Sequence, residues 1–428
     1  MERGRELYEE VRKMQKGLKK IGLGLVAAGL SIVLLLTAAI PVCEAGLDEK
    51  VVKVGLNLAL TGPATSTTVP IAEGFLDMLR YANDERFLGD VKIKVLWEDH
   101  KAEVPKGVTS FKRHSEAGVV GVVETIMGCC EVITPLAQRY EIPVTHEGGF
   151  TSMMITKPVP WVFAQTSGWA SDAATGLKWV KDNWYKDRTP KCGGIVQHHV
   201  SGFEVLRCSE WLPEIGWDYV GGESVSMGAI DTSVEWLRLA EKKPDVIFMY
   251  AVGSTAVTLI KDACRLGIQE RGIKLFHTIV FDEAIQRIVG DKASEGWLAQ
   301  TPAATPSETQ LPGVRRARET AKRYRNRTPD EMGRLYIASM LPALILIEGI
   351  RIAIEKVGLE NLTGRAVREG IVSIKDFDSG LQTGLHTVTD RKPWWDTMFA
   401  IERIESGGER VRVSDAFPAI CFEKYEWD

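Results

Sequence analysis

From residue 51 the chain alternates between short β-branched runs and amphipathic stretches, and this rhythm constrains its fold more than any other feature. "VVKVGLNLAL" (51–60) reads as a strand, "TGPATSTT" (61–68) as a loop of turn-formers, and "IAEGFLDMLRYANDE" (71–85) places apolar residues at helical spacing. "VKIKVLWED" (91–99), "GVVGVVET" (118–125) and "IPVTH" read as strands, with helices "KGVTSFKRHSEA" and "VITPLAQRYE" between them. Strands linked by helices through short connections give parallel βαβ units and a doubly wound α/β sheet.

A second series follows "PVPWVFAQT" (158–166). Its strands are "CGGIVQHH" (192–199), "DYVGGESVSM", "PDVIFMYAVG" (244–253), "IKLFHTIVF" (273–281) and "GWLAQTPAA" (296–304). Its helices are "SDAATGLKWVKDNW", "FEVLRCSEWLPEIG", "TSVEWLRLAEK" and "STAVTLIKDACRLG". Two α/β series in tandem imply two lobes of similar build. "LYIASMLPALILIEGIRIAIEKV" holds a long apolar stretch, but Pro342 lies inside it and Glu348 and Arg351 follow, so it reads as a buried helix, not a membrane span. "RVRVSD" near the C-terminus reads as a solvated edge. Ligands of open α/β sheets bind outside the carboxyl ends of the strands. The segments to inspect are therefore "LTGPATS", "WEDHK", "ETIMGCC", "THEGGFTS", "QHHVSG", "MYAVGS" and "VFDEA". In "HEGGFTSM" (146–153), two glycines would let main chain approach a ligand closely, and Thr151 and Ser152 add hydroxyls.

The N-terminus breaks the pattern. "KGLKK" precedes "IGLGLVAAGLSIVLLLTAAI" (21–40), which carries no charge, and then "PVCEAG". Residues 1–45 read as an export signal cleaved after Ala45, with a retained membrane anchor or a lipidated Cys43 as alternatives. "GLGLVA" (22–27) matches a dinucleotide fingerprint in letters only, because no strand precedes it. Cys192 and Cys208 are candidates for a disulfide in an oxidising space; small buried thiols are the other reading. A net charge of −4 gives no basic surplus for nucleic acid. The chain has no G-x-S-x-G, H-E-x-x-H or Walker loop, so catalysis has no motif behind it and no cofactor is expected. The adjacent His198 and His199 have no cysteine or carboxylate at ligand spacing beside them, so no metal site is expected.

In order and spacing, "VGLNLALTGP", "GFLDMLRYAND", "KVLWEDHKAEVPKGV", "ITPLAQRYEIPV", "GFTS", "PDVIFMYAVGSTAVTLIKDACRLGI" and "GDKASEGWLAQTPA" resemble the type I periplasmic solute-binding proteins, most of all the branched-chain amino acid binding proteins of ATP-binding cassette transporters. The resemblance covers roughly 50–425. It implies two Rossmann-like lobes joined by three hinge crossings near 162–166, 298–302 and 391–397. One lobe would comprise 50–163 and 302–390, the other 166–298 and 397–428. It further implies an exported, non-enzymatic binding protein that delivers a small solute to a membrane permease, or a sensor of the same build that controls a signalling partner.

Residue by residue, the resemblance puts a ligand carboxylate on Gly149 and Thr151, and on the main chain of Gly128 and Cys129, where the family's hydroxyl is missing. The family's aromatic before a glycine is Ser201 here, with His199 as a substitute; a second aromatic falls at Tyr250, one place after the aligned Met249. Asp282 or Glu283 would receive the ligand ammonium, and Trp169 would stack on the ligand. The implied ligand is an amino acid or a related small carboxylate or amide.

Overall fold

The computed structural model describes residues 50–426 apart from 63, 280, 303, 329–330 and 383. The leader, with Cys43, lies outside the described residues.

The first sheet consists of β1 (Val51–Leu58), β2 (Lys92–Asp99), β3 (Val122–Glu124), β4 (Val144–Gly149) and β5 (Val162–Thr166), all parallel in the order β2-β1-β3-β4-β5. Three helices cross between its strands: α1 (Thr65–Asp84), α2 (Val104–Glu116) and α3 (Met127–Tyr140). Val52, Val54, Leu56 and Leu58 of β1 are buried, and so is Asn57 between them. Burial on both faces is why the strand reads as a nearly continuous apolar run.

β5 leads into the second lobe through α4 (Trp169–Trp184). There β6 (Lys191–Gln197), β7 (Asp218–Val225), β8 (Val246–Tyr250), β9 (Lys274–His277), β10 (Leu298–Thr301), β11 (Met398–Ile404) and β12 (Arg410–Arg412) lie in the order β12-β11-β10-β9-β8-β6-β7, with β11 antiparallel to β10. The crossing helices are α5 (Val200–Leu206), α6 (Ser233–Glu241), α7 (Gly253–Arg265), α8 (Glu283–Val289) and the short α9 (Asp291–Ser294).

After β10 the chain returns to the first lobe as α10 (Pro312–Arg325), α11 (Arg334–Val357) and α12 (Gly364–Ile371), then crosses back to β11. At this last crossing Trp394 bridges to Ala164 of β5. α11 is one unbroken helix with Pro342 inside it, and every residue from Arg334 to Ile347 is buried. Among the described residues it alone is long and apolar enough to cross a membrane, but it lies inside the fold against α1. A Cβ on Gly74 of α1 would come within 2.4 Å of the Tyr336 carbonyl, so the two helix backbones touch where glycine permits it.

Three expectations change. The helix expected over "FEVLRCSEWLPEIG" is α at Val200–Leu206 and 3₁₀ at Arg207–Glu210. Pro213, which disfavours helical backbone before it and donates no N–H, follows closely. Cys192 and Cys208 are buried free thiols, not a disulfide. "RVRVSD" is not simply a solvated edge, because Arg410 turns inward and donates to Glu402 at 3.0 Å, to Gln286 and to the Phe281 carbonyl.

Candidate functional site

The carboxyl ends of both sheets face one cavity of about 110 Å³. The first lobe contributes Thr67, Thr125, Met127, His146 and Glu147; the second contributes Trp169, Gln197, His199, Ser201 and Tyr250. The lobes touch beside it, where the Gly253 N–H donates to the Thr67 hydroxyl oxygen at 3.3 Å. Four helices of eight residues or more begin around the cavity: α1, α3, α4 and α7, with Ala64, Ile126, Trp169 and Val252 in the lining. None of the four has a side-chain N-cap. Their first N–H groups and positive dipole ends give this face of the site a preference for negative charge.

The cavity's own side chains add chemistry of both signs. His146 donates from Nδ1 to the Glu124 carbonyl at 2.9 Å, so its buried Nε2, which has no partner, is an acceptor. Burial holds its pKa below the usual histidine range. His199 accepts at Nδ1 from the Ser201 N–H at 3.3 Å and lies 2.9 Å from the Ser201 hydroxyl, which assigns its proton to Nε2. Trp169 and Tyr250 meet edge to face with ring centroids 5.2 Å apart, and the Trp169 indole N–H is buried without a partner. Glu147, part-exposed in the lining, has no hydrogen-bond or ion-pair partner among the described residues, and desolvation pushes its carboxyl up to about 8.

Of the residues singled out from sequence, Trp169, His199, Ser201 and Tyr250 line the cavity together. The others stand behind it or away from it. Gly128 and Cys129 are in the first turn of α3 after the lining residue Met127, and an added Cβ on Gly128 would lie 3.8 Å from His199 Nε2. Gly149 admits neighbouring main chain: a Cβ there would sit 2.6 Å from the Trp169 backbone nitrogen, and one on Gly148 would meet His146 and the Trp169 ring. The Thr151 hydroxyl donates to Glu131 at 2.8 Å. Asp282 caps α8 by accepting from the Ile285 N–H at 3.0 Å, and Glu283 pairs with Arg334 of the first lobe. So "HEGGF" builds a wall of the site less by offering bare peptide than by letting the start of α4 press against β4.

Sequence reasoning passed over Glu147, His146, Gln197 and Thr67. Glu147 lay within the quoted segment; an acid at the carboxyl end of a buried strand was the available signal.

A larger depression of about 550 Å³ lies by Glu283, Arg334, Glu402 and Arg410. Three of its four acids are engaged by its own arginines: Arg334 with Glu283 and Glu402, Arg410 with Glu402, and Arg412 with Glu308. Among the described residues one trio, His100, Glu124 and Cys129, brings metal-type ligand atoms within 4.8 Å of one another. Its groups are already used, since Glu124 accepts from Asn57 at 3.0 Å and from the Ile126 N–H at 2.9 Å, and lies 3.0 Å from His100 Nε2. The Ala102 N–H donates to His100 Nδ1, leaving Nε2 as a donor to Glu124 and not as a ligand. The trio fastens the start of α3.

A family model for periplasmic binding proteins matches residues 51–407. The chain belongs to the periplasmic binding protein family. This is a family of extracytoplasmic binding proteins, not of enzymes. No curated protein matches the chain. Among solved structures, it is similar to a branched-chain amino acid ABC transporter protein from Thermus thermophilus with bound valine, at 20% identity and a TM-score of 0.78 over 87% of this chain and 98% of that one. A solute-binding protein from R. palustris in complex with 4-hydroxybenzoate matches at 14% identity and 0.71, covering 87% and 98%. A fatty acid ABC transporter substrate-binding protein from Thermomonospora curvata matches at 18% identity and 0.70, covering 87% and 93%. At these identities the likeness establishes a shared two-lobed fold.

Proposed function

We propose that this chain is the solute-binding component of an ABC importer and holds an amino acid, or a related small carboxylate or amide, between its lobes. The observation that carries this reading is the cavity itself. Both lobes line it, uncapped helix N-termini surround it, and an unpaired carboxyl and two aromatic rings complete it. Such a site suits a molecule with a negative end, a hydrogen-bonding group and a small apolar body. Trp169, His199, Ser201 and Tyr250 contact the solute, with Gly128, Cys129, Gly149 and Thr151 shaping the wall behind them. Residues 50–163 with 302–390 form one closing body, and 166–298 with 397–428 the other. Residues 1–45 direct the chain outward, and a membrane permease receives the solute. Solved proteins of this fold carry ligands as different as valine and 4-hydroxybenzoate, so the side chains of the cavity decide specificity.

Thermal-shift screening with the proteinogenic amino acids, simple amides and small carboxylates, followed by titration calorimetry, tests the reading. Trp169→Ala and Tyr250→Ala should each weaken the selected solute by about tenfold or more, the scale set by losing a buried aromatic contact. Unchanged affinity in both variants would move the site elsewhere.

A further inference from the structure

Among the described residues, the lining of the interlobe cavity contains one carboxylate, Glu147, and no lysine or arginine. The acids behind its wall are engaged: Glu124 by His100, Asn57 and the Ile126 N–H, and Glu131 by Thr151. Among the described residues Glu147 has no such partner, and its charge acts on the Tyr250 hydroxyl. Trp169 and Tyr250 present rings of the kind that attract cations to the same cavity. A carboxylate partly withdrawn from water without a partner is costly, and a positively charged nitrogen is the group that satisfies it.

We propose that Glu147 is the counter-ion for a positively charged nitrogen of the bound solute, so that this protein selects ammonium-bearing molecules. The proposal rests on the reading of the cavity as the solute site. It assigns the cationic subsite to the end of a first-lobe strand, whereas Asp282 and Glu283 of the second lobe serve a helix cap and an ion pair.

One consequence separates this assignment from a general electrostatic preference. Burial pushes the Glu147 carboxyl up to about 8, so near neutrality the ligand-free cavity holds it protonated. An entering ammonium keeps its own proton and makes Glu147 release one to solvent. The other titratable groups facing the cavity do not compete: burial holds His146 and His199 down in the neutral form, and burial holds the Tyr250 phenol up in the neutral form. Binding an amine should therefore release a proton, and affinity should strengthen as pH rises.

Isobutylamine, valine, isobutyrate and 4-hydroxybenzoate serve as probes alongside the proteinogenic amino acids, by calorimetry in buffers of differing ionisation enthalpy. The expected result is binding of at least one amine-bearing probe, with proton release and an affinity gain of about fiftyfold between about pH 6 and about pH 8. Glu147→Gln should abolish both the pH dependence and the proton release. It removes an unpaired acid from the cavity wall, so the variant should fold at least as well, and the wild-type pH profile needs no variant at all. Isobutyrate or 4-hydroxybenzoate binding with unchanged affinity in Glu147→Gln overturns the proposal and leaves the cavity as the solute site. Failure of every probe of either charge removes the cavity reading itself.

Discussion

The Glu283 carboxylate takes both the backbone N–H and the guanidinium of Arg334, at 2.9 and 2.8 Å, from the opposite lobe. Arg334 is the first residue of α11, and its N-cap, Gly333, offers no side chain. An acid of the second lobe therefore caps the longest helix of the first. Arg334 also meets Glu402 at 2.7 Å, and Arg410 meets Glu402 at 3.0 Å, so two acids and two arginines share one buried junction. Against the burial penalty, Arg334 and Arg410 hold Glu283 down to about 2.

Removing Arg334 should therefore cost more than a surface ion pair would. Arg334→Met leaves Glu283 and Glu402 buried with Arg410 alone, and breaking a buried pair costs about 3–5 kcal/mol. Arg334→Lys keeps the charge but loses the fork that serves two carboxylates, so it should recover only part of the loss. Urea denaturation of the three proteins measures this, and equal midpoints would show that the junction contributes nothing.

The Glu147 carboxyl makes a separate prediction for the ligand-free protein. Its folded pKa is raised to about 8 by desolvation, so the folded state keeps a proton that the unfolded chain releases near the ordinary glutamate value. Stability contributed by this group falls as pH rises from about 4.5 to about 8. Buried histidines pushed the other way, such as His386 at about 4, oppose the trend in total stability. The clean readout is a difference. Glu147→Gln should gain on the wild type progressively between about pH 5 and about pH 8, by up to a few kcal/mol. A constant offset between the two denaturation curves across that range would show that the carboxyl titrates normally.

The sequence carried the architecture because each strand and helix states its burial in its own period. β1 is apolar at every second position and more, and α11 is apolar throughout from Leu335 to Ile347 apart from Ser339 and the tyrosine hydroxyl of Tyr336, so their places inside the fold could be read directly. The site was half legible for a different reason. Strand ends pointed to segments that line the cavity, and Trp169, His199, Ser201 and Tyr250 meet there. Which residue of a segment faces the cavity depends on register, and β4 is irregular between His146 and Gly149. Across that irregular stretch Glu147 lines the cavity and Gly149 packs against the start of α4. Nor could local pattern reveal that Glu283 would be occupied by Arg334, a residue 51 positions later.

Gly149 and Thr151 now separate by their effects. A Cβ at Gly149 would lie 2.6 Å from the Trp169 nitrogen and 3.0 Å from its ring, so Gly149→Ala must push the start of α4 outward. Overpacking of this kind costs about 1–3 kcal/mol, and here it displaces a cavity residue, so stability and solute affinity should fall together. Thr151→Ala loses the bond to Glu131, worth about 1 kcal/mol, and leaves the lining untouched. Its affinity should match the wild type. A Thr151→Ala protein that folds normally but no longer binds would return the hydroxyl to the ligand.

Trp169 and Tyr250 permit a finer dissection than truncation to alanine. Their rings wall the cavity edge to face, yet each also carries a polar hydrogen, and that of Trp169 is buried without a partner. Such a donor is satisfied when the solute supplies an acceptor. Trp169→Phe keeps an aromatic wall and deletes the donor. The solute's acceptor is then left unpaired, which costs about 1–3 kcal/mol, roughly a tenfold to hundredfold loss of affinity. Tyr250→Phe removes a hydroxyl that interacts with Ser201 and stands near Glu147, so its effect should be smaller for the neutral part of the solute and larger at high pH, where Glu147 is ionised. Calorimetry on the two phenylalanine variants distinguishes these outcomes. Affinity that survives Trp169→Phe but not Trp169→Ala would assign the residue to packing alone.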